Sequence, residues 1–269
     1  MRKLRFDYAT RLEFSEPVAD HRFQLRCIPP TLPQQRICDL EFSIDPACDV
    51  THETDSFFNP VVVGRIVEPH DYFSYHVGGL AFVDQSLSRR QAYKPLYRYQ
   101  SDFTRQGPAL AELTRQAREE LARHDWATGP LERATYVMGM VHERLAYEPG
   151  STTVRTVAEE ALEGGRGVCQ DYAQVAISVC RGLGLMAKYV AGVYDAEGAT
   201  HAWFEVYQGG NWHPLDPTNN RVVDDSYIKI AHGRDYGDCM LSIGVFLGAA
   251  RQEQTVHAKI ESLAAAVEQ

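Results

Sequence analysis

The chain has 269 residues, 44% hydrophobic and 23% charged, with a net charge of −9 and a pI near 5.6. That is enough apolar material for one large domain or two ordinary ones, and the acidic balance excludes the electrostatic footprint of a protein that binds nucleic acid or anionic lipid. No stretch is long and apolar enough to span a bilayer, and the six cysteines (27, 38, 48, 169, 180, 239) form no Cys-x-x-Cys pair or zinc-spaced cluster, so a soluble, cytoplasmic protein with free thiols is expected.

From residue 4 to about 100 the hydrophobic period is two. Leu4, Phe6 and Tyr8 alternate with polar residues, as do Phe23, Leu25 and Cys27, then Ile37, Leu40, Phe42 and Ile44, and later Phe73, Tyr75 and Val77. Turn signals at Ile28-Pro29-Pro30, Asp45-Pro46, Asn59-Pro60 and Gly78-Gly79 separate these strands, which predicts an antiparallel β-sandwich or barrel. Its histidines, His52, His70 and His76, lack partners at ligand spacing and read as solvated or hydrogen-bonded.

The pattern then turns helical. An amphipathic helix is predicted over 109–124 after Pro108, a second from Pro130 to Leu145 after Gly129, and a short third opening on the capping box Thr156-Val157-Ala158-Glu159 and ending at Gly164-Gly165. Gly167-Val168-Cys169-Gln170-Asp171-Tyr172 follows, a loop that delivers a cysteine to the first turn of a helix apolar around most of its circumference. Cys180 lies about three turns on, roughly 16 Å along the axis, and reads as a small buried hydrophobe. Strands are predicted at 187–194, at 200–207 and, across a Gln208-Gly209-Gly210-Asn211 turn, up to Asp216. Shorter strands at 228–231 and 244–247 flank the loop 233–238, and a last strand through Val256, Ala258 and Ile260 precedes an alanine-rich tail. The change of pattern divides the chain into 1–100 and 101–269.

Thiol chemistry on a carbonyl needs an ionised sulfur, a base, and a group that holds the base in one tautomer. A helix N-terminus favours negative charge and offers unpaired N–H groups to an oxyanion. Cys169 has that position; His201, on a strand, can be its partner; and Asp216, across one hairpin, can accept from the imidazole. Trp203 shares the face of His201 as a shield or substrate wall. His142 and His213 compete with His201 and read as structural. No acidic loop has calcium spacing, so neither metal nor cofactor is expected.

Gly167-Val-Cys-Gln-Asp-Tyr-Ala173, His201-Ala-Trp-Phe-Glu-Val206 and Asp216-Pro-Thr-Asn219 resemble, in order and spacing, the three signature blocks of the bacterial transglutaminase-like superfamily, a papain-like cysteine protease fold. The resemblance spans roughly 130–235. Residues 228–248 resemble the segment that closes such proteins, and the first hundred residues resemble their β-rich N-terminal domain. It implies an α+β chain: a β-rich domain over 1–100, then a catalytic core over 101–269 with helices packed on an antiparallel sheet. It also implies Cys169 as nucleophile, His201 as base and Asp216 as orienting acid, with Tyr147 resembling the aromatic ahead of the cysteine block and offered for the oxyanion or substrate site. The expected activity is cleavage or transfer of an amide acyl group of a peptide or protein, as a cysteine protease, amidase or transglutaminase. The alternatives are a binding module that keeps the fold, and an amine acyltransferase with a thioester donor.

Overall fold

The computed structural model describes every residue except 88–89, 126–127, 195–199 and 264–269; the predicted alanine-rich tail lies largely outside the described residues. The N-terminal half is antiparallel: β1 (Arg2–Leu25), β2 (Gln35–Asp45), β3 (Val50–Thr54), β4 (Pro60–Ile66) and β5 (His70–Val83) run in the order β2-β5-β1-β4-β3. β1 joins what the alternation marks as two strands, because its pairing with β5 runs as far as Glu13 and resumes at Val18. It pairs β5 along its first part, bulges between Glu13 and Val18, and pairs β4 from His21 to Leu25. Leu4, Phe6, Tyr8, Phe23 and Leu25 are buried on its inner face. Gly78-Gly79 is no turn but lies inside β5, facing a bulge of β2 between Cys38 and Glu41. A Cβ at Gly79 would come within 3.0 Å of the Cys38 carbonyl oxygen. The strands β3 and β4 carry no clean period-two signal, since β3 is almost wholly exposed.

Two helices follow, α1 (Pro108–Leu121) and α2 (Pro130–Arg144), then β6 (Ala146–Tyr147), α3 (Ala158–Gly164), β7 (Arg166–Gly167) and α4 (Cys169–Gly182). Each of α1 and α2 opens on proline, whose missing N–H costs nothing in a first turn. The capping box of α3 sits one residue later than its sequence suggests: Glu160 accepts from the Val157 N–H, while Thr156 accepts from Thr153. Glu159 reaches away to α1, where its carboxylate accepts from the N–H groups of Gly107, Ala109 and Leu110 at 2.7–3.0 Å. α4 is the central helix. Val175, Ile177, Val179 and Cys180 are wholly buried, each larger apolar side chain contributing about 1.5–3 kcal/mol. Burial pushes the Cys180 thiol up to about 12, as suits a packing residue.

α4 packs on a sheet ordered β11-β10-β9-β8-β12, made of β8 (Ala187–Tyr194), β9 (His201–Gln208), β10 (Asn211–Asp216), β11 (Arg221–Val222) and β12 (Tyr227–Gly233). The loop after β12 holds the short α5 (Tyr236–Cys239). The chain then returns to the first sheet: β13 (Ser242–Leu247) pairs with the second half of β1 and β14 (Gln252–Leu263) with the first half. Strand pairing therefore does not follow a cut near residue 100. The outer edge of β12 meets two side-chain amides in place of a strand. Gln35 bonds both the N–H and the carbonyl of Lys229 (2.7 and 2.8 Å), and Asn59 does the same to His232 (2.9 and 2.8 Å). Both amides are buried, so they satisfy backbone groups that would otherwise lie unpaired at the junction.

Candidate active site

Antiparallel order brings the ends of five strands together. Tyr194 ends β8, His201 opens β9, Asp216 ends β10, Arg221 opens β11 and Tyr227 opens β12. At this end of the sheet the His201 ring donates from Nε2 to Asp216 Oδ2 at 2.7 Å. The Cys169 thiol is close enough to the same ring to add to its affinity for a proton. With Nε2 committed to a carboxylate, Nδ1 is the nitrogen left for sulfur. The three residues that the sequence singles out thus come together where this end of the sheet meets the tip of α4.

The helix end supplies the rest of the surroundings. The N–H groups of Asp171 and Tyr172 turn back to the Val168 carbonyl (2.9 and 3.2 Å), and the Val168 N–H is taken by Asp171 Oδ2 at 2.8 Å. Those of Cys169 and Gln170 are left at the open end, where a first helical turn has no internal acceptor. Asp171 also accepts from the Thr152 hydroxyl at 2.7 Å, tying the preceding loop to the cysteine turn, and burial raises its pKa above the usual carboxylate value.

Asp216 is wholly buried and accepts from the N–H groups of Thr218 (3.0 Å) and Asn219 (3.2 Å), from the Asn219 amide (2.7 Å) and from the Tyr227 hydroxyl (2.7 Å), besides His201. Burial alone would raise its pKa; these donors, His201 foremost, outweigh burial and hold it below the ordinary value. Burial likewise opposes the charged form of His201, yet its bond to Asp216 and the nearness of Cys169 raise its pKa to about 9. The imidazolium is the favoured state at neutral pH.

Tyr147 stands where it can meet a ligand. The parallel bridge of β6 to β7 sets it opposite Gly167, the side chain is 56% exposed, and partial burial of its hydroxyl, with Cys169 and Tyr194 nearby, raises its pKa above the ordinary value. Trp203 is different. It lies with its ring centroid 6.4 Å from that of His201 but is only 2% exposed, packed with Val190, Val223 and Tyr227, so it backs the histidine and cannot wall a substrate. Gly192 makes room for it, since a Cβ there would fall 2.5 Å from the Trp203 ring and 2.2 Å from the Ile228 carbonyl oxygen. His142 bonds the Pro217 carbonyl and His213 that of Gln208, and neither joins the cluster.

Sequence reasoning missed three participants. Tyr194 covers His201 at 4.8 Å between ring centroids, Tyr227 donates to Asp216, and Arg221 donates from Nε to the Tyr227 hydroxyl at 2.8 Å. Only Asn219, inside the quoted Asp-Pro-Thr-Asn block, carried a readable signal. Among the described residues no three His, Cys, Asp or Glu side chains gather as metal ligands, and no helix is long and apolar enough to cross a membrane.

Comparison with known proteins agrees with this architecture. Residues 119–217 match the transglutaminase-like superfamily, and residues 4–81 match the bacterial transglutaminase-like N-terminal region. A crystal structure from Cytophaga hutchinsonii, named a "putative cysteine protease", superposes with a TM-score of 0.78 at 21% identity over 97% of this chain and 91% of its own, a likeness of fold. An uncharacterized protein of Mycobacterium leprae is 37% identical over 131 residues, 45% of this chain and 47% of its own. One from Mycobacterium tuberculosis strain H37Rv is 38% identical over 144 residues, 47% and 46% respectively. The chain spans about half the length of the curated relatives it matches.

Proposed function

Since this chain carries a transglutaminase-like core behind a bacterial transglutaminase-like N-terminal region, we propose that it is a cysteine enzyme that opens an amide through an acyl-thioester on Cys169. What supports the reading is the His201 ring held between a thiol and a buried carboxylate. In this scheme His201 holds the thiol proton as imidazolium, and the sulfur anion attacks the amide carbon. The carbonyl electrons move to oxygen, facing the Cys169 N–H and the Tyr147 hydroxyl. As the tetrahedral species collapses the C–N bond breaks, and the imidazolium gives its proton to the departing amine. Water or a second amine then attacks the thioester, delivers its proton to His201 and frees the sulfur. Asp216 keeps Nε2–H pointed at itself throughout, so Nδ1 stays aimed at sulfur. Water as acceptor makes the enzyme a hydrolase, and an amine makes it a transglutaminase.

Alkylation with iodoacetamide tests the first step. One thiol is expected to react much faster than the other five; mass mapping should assign it to Cys169, and Cys169→Ala should abolish it. Loss of the ring in His201→Ala should slow it by about 100-fold or more. Uniform reactivity of all six thiols would refute the proposal. A peptide library incubated with a primary-amine probe then separates hydrolysis from amine incorporation by product mass.

A further inference from the structure

The geometry points to Arg221 as a specificity residue, a guanidinium at the mouth of the site that takes a carboxylate carried by the acyl substrate; this rests on the cysteine reading above. Arg221 pairs with Asp216 in the β10–β11 register, so it stands at the same end of the sheet as the triad. Its guanidinium lies 5.0 Å from the ring centroid of Tyr227 and 5.8 Å from that of Tyr194, the two aromatic rings beside His201. Tyr194 and Tyr227 are stacked on each other at 5.3 Å, which makes a rigid shelf under the charge. Nε is spent on the Tyr227 hydroxyl. The terminal nitrogens form no ion pair with a described residue, although the side chain is exposed. Asp224, which contributes to the field at Arg221, turns its Oδ1 to the Ser226 N–H and hydroxyl instead.

A planar fork with one edge anchored and the other open matches a carboxylate in two-point contact, which an ammonium would not do. The shelf also sets a distance. The Tyr194 ring is near both, 5.8 Å from the guanidinium and 4.8 Å from the His201 ring, and a span of that order puts the carboxylate several bonds from the scissile amide, as on a side chain or a neighbouring residue. With a net charge of −9 the molecule as a whole repels such a substrate, and a local cation is what can select it.

Iodoacetamides bearing a carboxyalkyl arm of varied length, each compared with its uncharged carboxamide twin, test this on the intact chain. At one arm length the anionic reagent should alkylate Cys169 about 3- to 10-fold faster than its twin at low salt. That ratio should fall to near one in Arg221→Gln and be kept in part in Arg221→Lys. Tyr227→Phe, which takes a donor from Asp216 and the anchor from Arg221 Nε but keeps the cation, should slow both reagents and leave a ratio that is reduced but still above one. A ratio near one in the unmodified chain at every arm length, or a ratio that survives Arg221→Gln, overturns the assignment while a fast Cys169 keeps the cysteine reading. If Cys169 is no faster than the other thiols with the neutral reagents, the cysteine reading falls and the Arg221 assignment with it.

Discussion

A buried carboxylate with a single partner would give up its charge, whereas Asp216 has five hydrogen bonds and keeps it. That charge is what lets His201 hold a proton against burial. The consequence for pH has a definite sign. The folded-state pKa of His201, about 9, lies above the ordinary 6.5, so its protonation stabilises the fold fully below pH 6.5 and this contribution is lost as pH rises through 9. Comparing the unfolding free energies of the unmodified chain and His201→Gln from pH 6 to 10 should show the difference shrinking across that window. Catalysis that needs the imidazolium should fail over the same alkaline limb. Tyr227→Phe removes one of the five donors, and a rate about ten-fold lower is expected in whichever assay reports on Cys169, since hydrogen bonds to charged groups contribute about 1.5–3 kcal/mol.

Among the elements, α4 works because other elements hold its first turn. Asp171 caps it from within and ties in Thr152, while the β6–β7 bridge sets Tyr147 beside it. A similar service is done at a distance by Glu159, which caps α1 from α3 and so locks two helices that both pack on α4. Replacing it, in Glu159→Ala, leaves three N–H groups at a helix N-terminus without their carboxylate. A loss of about 1–2 kcal/mol is expected, read by calorimetry as a fall of about 2–8 °C in Tm, with the iodoacetamide profile of Cys169 intact because α4 keeps its own cap. The capping box shows how far a local motif can be read. The spacing at 156–159 announced a helix start correctly, yet which acid caps which helix depended on where α1 lies, about fifty residues earlier in the chain.

Across the whole molecule, the two halves are joined by backbone mimicry and by strand exchange along the sequence. Gln35 and Asn59 complete the edge of β12, so the double variant Gln35→Ala, Asn59→Ala leaves the N–H groups of Lys229 and His232 without partners in the junction. Each orphaned group costs about 1–3 kcal/mol. Hydrogen exchange should speed up at those two amides first, while amides in the middle of α4 keep their protection until global unfolding. The return of β13 and β14 to β1 means that a chain ending at residue 241 strips β1 of its partners on one side. Such a chain should lose soluble yield, because a long unpaired edge invites association. By itself the sequence determined what is local: the helix starts at proline, the burial of α4, the hairpin that carries His201 and Asp216, and the cysteine at a helix tip, each encoded in residues a few positions apart. Only the tertiary structure decided the fusion of two predicted strands into β1, the closing of the first sheet by the last strands, the burial of Trp203, and the gathering of Tyr194, Arg221 and Tyr227 around the histidine. Those features depend on strand ends that meet only after the sheets are assembled, and no periodicity along the chain records which ends will meet.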